Sequence, residues 1–191
     1  MRDESIEQDF NTSAFDACLT AAIEAASKWE YLDISSLPPP GTCKAFQIVP
    51  PLKNLKSFKM VHGCDLGSFF EPLMTAITTT TTSRLTNMLL YNLDAVLFLA
   101  QPDHLHAFCS LTTLDIRLSK RMETPVNILP HLQRLESFTA QHLHLPMYPP
   151  DAPLPLVQTL DYLHLKSVSV QWMAEKVFPV LRSCYITFPP Y

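Results

Sequence analysis

Two stretches, "LQRLESFTAQHLHL" at Leu132–Leu145 and "VQTLDYLHLKSVSV" at Val157–Val170, share few identical residues but place their apolar side chains at the same offsets. Aligning Leu135 with Leu160 sets Leu135, Phe138, Ala140, Leu143 and Leu145 against Leu160, Leu163, Leu165, Val168 and Val170. The positions between them are mostly polar. That alternation is what a short strand with one buried face requires, because successive side chains point to opposite sides of a sheet.

The same template extends along most of the chain. Its first anchors fall at Trp29, Leu55, Leu85, Leu111, Leu135, Leu160 and Leu181, spaced 21 to 30 residues apart. The inward triplets read Trp29/Leu32/Ile34, Leu55/Phe58/Met60, Leu85/Met88/Leu90, Leu111/Leu114/Ile116, Leu135/Phe138/Ala140, Leu160/Leu163/Leu165 and Leu181/Cys184/Ile186. Every one of these positions is apolar. An L-x-x-L-x-L unit at this period is the pattern of a leucine-rich repeat, in which each unit leaves an open apolar face that only its neighbour can cover. The expected fold is therefore α/β: an irregular leucine-rich-repeat solenoid with a parallel concave sheet, and helices and proline-rich loops on the convex side. The expected organisation is an acidic disordered N-terminus over residues 1–13, a capping helix over 14–28, and an array of about seven units over 29–191.

The segments between strands fit that scheme. "TSAFDACLTAAIEAASKW" carries Thr12 or Ser13 as a cap and places Phe15, Cys18, Leu19, Ala22, Ile23 and Ala26 on one helical face. "SFFEPLMTAI" reads as a short helix capped by Ser68, with Pro72 tolerated in its first turn. "DAVLFLA", "PDHLHAF" and "SVQWMAEKVF" read as further short helices, the last with Val170, Trp172, Met173 and Val177 packed under the final strand. "LPPPGTCKAFQIVPPL" and "LPMYPPDAPLPL" read as extended loops, and the threonine run Thr78–Thr82 as a polar surface loop. The slot where an asparagine ladder would run holds Leu37, Gly63, Leu93, Ser119, Leu143, Val168 and Pro189 instead, which predicts an irregular array.

Composition narrows the function. The chain has 191 residues, 47% of them apolar, with a net charge of −4, so it can build a core but has no general basic footprint for nucleic acid. The start "MRDESIEQDF" lacks an apolar signal region, and "NMLLYNLDAVLFLA" is interrupted by Asn92 and Asp94, so neither a signal peptide nor a membrane span is expected. Cys18, Cys43, Cys64, Cys109 and Cys184 are an odd, widely spaced set with no Cys-x-x-Cys. They read as reduced, mostly buried thiols of a cytoplasmic or nuclear protein. With only three glycines, a glycine-rich phosphate loop is excluded by inventory.

Further residues carry a resemblance. "MTAITTTTTSRLT", "FCSLTTLDIRLSKRMETPVNILPHLQRLESFTAQHLHLPMYPPDAPLPLVQTL" and above all "LHLKSVSVQWMAEKVFPVLRSCYITFP" resemble the leucine-rich region of F-box-like proteins of mushroom-forming fungi, over roughly Ala14 to Tyr191. The resemblance implies substrate recognition for an F-box-type ubiquitin ligase adaptor, in which an F-box docks on cullin ligase components and the repeats hold a protein target. An F-box would begin with a proline-led LP-x-E-[LIV], which "MRDESIEQDFNTSAF" does not contain, so no residue is assigned to ligase binding. A free-standing repeat scaffold is the alternative, and a hydrolase or metal enzyme a remote one.

Chemistry is sparse. His142 and His144 form His-x-His, but flank an inward Leu143 with no third ligand at suitable spacing, and His104 with His106 is in the same position. No Gly-x-Ser-x-Gly occurs and no cysteine sits in a nucleophile motif, so the chain is read as non-catalytic, without metal or cofactor. The outward strand residues are the better candidates. Among them Tyr91, Arg117, Tyr162, His164, Lys166 and Tyr185 form the expected partner-binding patch, since tyrosine and arginine are the usual anchors of protein interfaces.

Overall fold

The computed structural model describes residues 12–35, 49–61, 70–78, 84–149, 151–173 and 176–188. Seven short strands form one sheet in chain order: β1 Tyr31–Ile34, β2 Ser57–Met60, β3 Asn87–Leu90, β4 Thr113–Arg117, β5 Ser137–Gln141, β6 Tyr162–Lys166 and β7 Ser183–Thr187. Every neighbouring pair is parallel, as a crossover connection demands. The register matches the sequence alignment throughout: Leu32, Phe58, Met88, Leu114, Phe138, Leu163 and Cys184 lie side by side in one row.

That row and the next, Ile34 to Ile186, form the sheet side of a single continuous core. Phe58, Met88, Leu114, Phe138 and Leu163 have no solvent exposure, nor do Met60, Leu90, Ile116 and Leu165 in the second row. Each such side chain contributes roughly 1.5–3 kcal/mol by leaving water. Burial thins at both ends: Leu32 is only half-buried, and Cys184 and Ile186 are exposed. The end strand has one neighbour, so its inward face is covered from one side only.

The opposite side of the core is made by the connections. Helix α1 (Thr12–Glu24) continues into a 3₁₀ turn at Ala26–Lys28, two residues earlier at its start than expected, and buries Ile23 and Ala26 while Cys18 faces solvent. Helix α2 (Phe70–Thr78) buries Leu73, Met74, Ala76 and Ile77. Helix α3 (Leu93–Leu99) is capped by Asn92, whose side chain accepts from the Ala95 N–H at 3.0 Å, and buries Ala95, Val96 and Leu99.

Toward the C-terminus the connections shrink. "PDHLHAF" is a 3₁₀ helix rather than an α-helix (Pro102–Phe108), and later units have only single 3₁₀ turns at Leu129–His131, Pro155–Gln158 and Gln171–Met173. Each of the first three has a proline in its first turn, where the missing N–H is harmless. Of the helix expected over "SVQWMAEKVF", the structure has a 3₁₀ turn at Gln171–Met173 and no helix at 176–178, while Ala174 and Glu175 lie outside the described residues. Trp172 is buried at 1% exposure and meets Phe178 edge-on at 6.1 Å, whereas Val177, expected in the core, is exposed. Trp29 is partly buried against the core.

Other expectations meet the structure unevenly. Most of the segment expected to be disordered, residues 1–11, lies outside the described residues, as do Ser68, Cys43, Cys64 and most of "LPPPGTCKAFQIVPPL". Of the threonine run, Thr78 belongs to α2 and is buried, its hydroxyl donating to the Met74 carbonyl at 3.1 Å; the rest lies outside. The thiols are not mostly buried: Cys18 and Cys184 are exposed and Cys109 half-buried, all three free. Cys184 owes its exposure to the uncovered end strand. Among the described residues no helix is long and apolar enough to cross a membrane.

In place of an asparagine ladder, two other ladders tie the units. Just before each strand one carbonyl accepts two N–H groups from the next unit. Glu30 accepts from Lys56 and Ser57, Lys56 from Thr86 and Asn87, Thr86 from Thr112 and Thr113, Thr112 from Glu136 and Ser137, Glu136 from Asp161 and Tyr162, and Asp161 from Arg182 and Ser183, at 2.7–3.2 Å. One position upstream of the anchors, side chains reach back to the preceding unit: Asn54 to the Ser27 carbonyl at 2.8 Å, Ser110 to Leu85 at 2.7 Å, and Thr159 to Leu135 at 2.6 Å.

Candidate functional site

Because the strands are parallel and in register, outward residues also line up in rows. The middle row reads Asp33, Lys59, Leu89, Asp115, Thr139, His164 and Tyr185. The row below runs through Arg117, Gln141, Lys166 and Thr187, with Tyr91 just past β3 on the same side, its N–H bonded to the Met60 carbonyl at 2.8 Å. Strands lie about 4.8 Å apart, so the face from β3 to β7 spans on the order of 19 Å.

Five of the six expected patch residues fall into two groups on this face. In the first, the Arg117 guanidinium lies 5.7 Å from the centre of the Tyr91 ring, a cation–π distance. The same guanidinium forks onto Asp115, Nε to Oδ1 at 2.9 Å and Nη2 to Oδ2 at 2.8 Å. The hydrogen bonds to Asp115 hold the guanidinium in this pose and push the Arg117 pKa above its ordinary value. In the second group Tyr185 stands 6.0 Å from both Tyr162 and His164, tilted to the first and edge-on to the second. Tyr185 is 57% exposed, while Tyr162 and His164 are half-buried.

Strand β5 separates the groups with short side chains. Ser137, Thr139 and Gln141 are paired on one flank with Thr113, Asp115 and Arg117 and on the other with Tyr162, His164 and Lys166. The result is a polar floor between the Arg117–Tyr91 group and the aromatic trio. Lys166 belongs to neither group by contact; it joins the row through Gln141 and its side chain is exposed.

Asp115 is the residue that the sequence reading left out of the patch. Its signal was present: two positions apart on a strand places Asp115 and Arg117 on one face. The N-terminal part of the sheet is closed by charge pairing, since Lys59 bonds Asp33 at 2.7 Å and Lys56 bonds Glu30 at 2.9 Å. The Lys59 ammonium, with help from the Ser35 hydroxyl, holds the Asp33 carboxyl below its ordinary value. These exposed pairs contribute little stability but match the charges of Glu30, Asp33, Lys56 and Lys59.

His104, His106 and His144 serve the scaffold. His104 stacks on Phe98 at 4.2 Å with Nδ1 3.0 Å from the Phe98 carbonyl; His106 meets the carbonyls of Asp103 and Thr78; His144 Nδ1 lies 2.9 Å from the Glu123 carbonyl. His142, just beyond β5, takes a positive φ of 59°, and Ser167, in the same place after β6, one of 54°. The chain turns sharply off the sheet at both points. Among the described residues no three or more His, Cys, Asp and Glu side chains gather as a metal site would need.

Among the described residues, depressions lie at both ends of the strands. One, of about 480 Å³, lies at the edge where strands begin and mixes Arg134 and Arg182 with Glu136 and Asp161. Arg182 Nε is 3.3 Å from Asp161 Oδ1, close enough for an ion pair but not aligned for a hydrogen bond. The other, of about 440 Å³, lies where β5 and β6 end. No family model, curated protein or solved structure matches the chain, so its α/β stack of parallel strands and this outward face are what its function must be argued from.

Proposed function

We propose that the chain is a non-catalytic protein-interaction domain of the leucine-rich-repeat type, and that the outward face of β3 to β7 holds its partner. The observation that carries this is the in-register row structure, which brings Tyr91, Arg117, Tyr162, His164, Lys166 and Tyr185 onto one solvent-facing surface around the β5 floor. Rigid aromatics and a pre-positioned arginine bind at low entropic cost, because their side chains are already held by neighbours. A sheet this regular also keeps anchors at fixed separations, which favours one partner surface over others.

The more specific proposal is that the partner is a substrate of an F-box-type ubiquitin ligase, with cullin components recruited by an F-box outside this sequence. That part rests on the resemblance of "SVSVQWMAEKVFP" and its surroundings to fungal F-box-like proteins. The test is cross-linking capture from host lysate with the parent chain and with a Tyr162→Ala/Tyr185→Ala double variant. Proteins captured by the parent and lost with the double variant support the surface, and cullin or its linker among co-purified proteins supports the ligase role. An identical captured set for both chains removes the surface reading; recovery of surface-dependent partners in a host whose transcript encodes no F-box in frame leaves a repeat scaffold without the ligase.

A further inference from the structure

Among the described residues, the edge of the sheet where β4, β5 and β6 end carries an unbalanced charge. Leu118 to Val126 runs alongside Gln141 to His144, held by N–H groups of Leu118, Met122 and Val126 to the carbonyls of Gln141, His142 and His144 at 2.9–3.1 Å. His142 N–H reaches the Lys166 carbonyl at 3.0 Å, and Ser167 N–H the Thr187 carbonyl at 2.9 Å, so the rim is one hydrogen-bonded strip. On or beside it stand Lys120, Arg121 and Lys166, all exposed. Among the described residues none of the three is in an ion pair. The only carboxylate in the Leu118–Val126 segment is Glu123, and Asp115 is already engaged by Arg117.

The depression at this edge, about 440 Å³, is bounded by Arg121, His142, Ser167, Val170 and Phe188. It therefore joins a cation to an apolar wall, and Phe188 is 61% exposed. In a chain of net charge −4, three exposed cations that are in no ion pair among the described residues, Arg121 lining this depression and Lys120 and Lys166 on or beside the adjoining strip, are a local reversal of the overall sign. Such a spot steers and orients an anionic partner more than it adds raw affinity.

We propose that this rim binds an acidic stretch of the protein partner, with carboxylates on Arg121 and Lys166 and a neighbouring apolar side chain against Val170 and Phe188. The inference rests on the outward face being a protein-binding surface, and it names the chemistry of what that surface accepts. Arg121 offers a planar fork to a carboxylate and Lys166 a point charge, so a peptide with an acidic pair beside a hydrophobic residue meets both.

The test is selection of random linear peptides displayed on phage against the whole chain, repeated on an Arg121→Glu/Lys166→Glu variant and on a Lys53→Glu control, all checked by circular dichroism. Peptides severalfold enriched in Asp and Glu next to an apolar residue are expected on the parent and on Lys53→Glu, and not on the double reversal. A selected set without acidic enrichment, enrichment that survives the double reversal, or tighter binding of a single-stranded oligonucleotide than of the selected peptide overturns the inference. The two proposals fail separately: absent acidic enrichment with partner capture still dependent on Tyr162 and Tyr185 removes only the acidic preference.

Discussion

Arg117 and Asp115 grip each other along a single strand, two residues apart, with both guanidinium-to-carboxylate bonds under 3.0 Å. The carboxylate is the more sheltered partner, 13% exposed against 50% for the arginine side chain. Asp115→Asn should cost less than about 1 kcal/mol in urea unfolding, as exposed pairs do. It should also release Arg117 from its fixed pose, seen as faster solvent exchange of the Arg117 Nε–H in NMR. Unchanged exchange would show that Tyr91 alone orients the guanidinium.

The row structure makes equivalent positions unequal in a predictable way. Ile116 and Ile186 occupy the same slot in different units, but the first has no exposure and the second is 38% exposed. Ile116→Ser should destabilise by about 3 kcal/mol or more and Ile186→Ser by under about 1 kcal/mol. Leu163→Asp, with a charge in the stacked core, should abolish the folded circular-dichroism signal, whereas Tyr162→Ala and His164→Ala should melt close to the parent. Similar melts for Ile116→Ser and Ile186→Ser would contradict the burial gradient.

The hydroxyl links between units can be weighed directly. Ser110→Ala and Thr159→Ala each remove one bond to a carbonyl of the preceding unit, at 2.7 and 2.6 Å respectively. Each should cost about 1 kcal/mol, and because they sit on different seams the double variant should cost about their sum. Urea midpoints of the two singles and the double decide this, a clear shortfall in the double pointing to coupling across the seams.

Alkaline pH should act through Tyr148. Burial pushes its phenol up to about 12, against an opposing backbone hydrogen bond from Leu129, and its hydroxyl donates to Asn127 Oδ1 at 2.6 Å. A folded-state value above the ordinary 10.0 means that the protonated form is stabilised by folding. That contribution is intact below pH 10 and is lost as pH rises toward 12. Tyr148→Phe should therefore lose less stability than the parent between pH 10 and 12 in urea titrations, and an equal loss would show that the phenol is not the cause.

How much of this was legible beforehand differs by level. The strands, their inward residues and their register were readable because period-two alternation is a local signal and the parallel stack repeats it: Leu135 and Leu160 align in the sequence as Phe138 and Leu163 pair in the sheet. Helix type was less readable. "SVQWMAEKVF" has helical apolar spacing, but Trp172 finds its place in a single turn against Phe178, and Val177 is left outside. Burial at the last strand depends on what lies beyond it, which no pattern inside that strand encodes, so Cys184 and Ile186 read as inward yet are exposed. The patch residues could be placed on one face from alternation alone; that Arg117 leans on Tyr91 while Tyr185 sits between Tyr162 and His164 depends on rotamers.

The doubly accepting carbonyls ahead of each strand carry a consequence for how such a gene can change length. Every seam from Glu30 to Arg182 is closed by the same two backbone donors, and backbone donors do not depend on residue type. Excision of the codons for residues 135–159 would bring Leu160 to the place of Leu135 and offer β6 to β4 with the same donors in reach. Duplication of that segment would likewise present each copy with a seam it can close. Gain or loss of whole units is thus a change the backbone accommodates, while an insertion inside a strand shifts every later side chain to the wrong face.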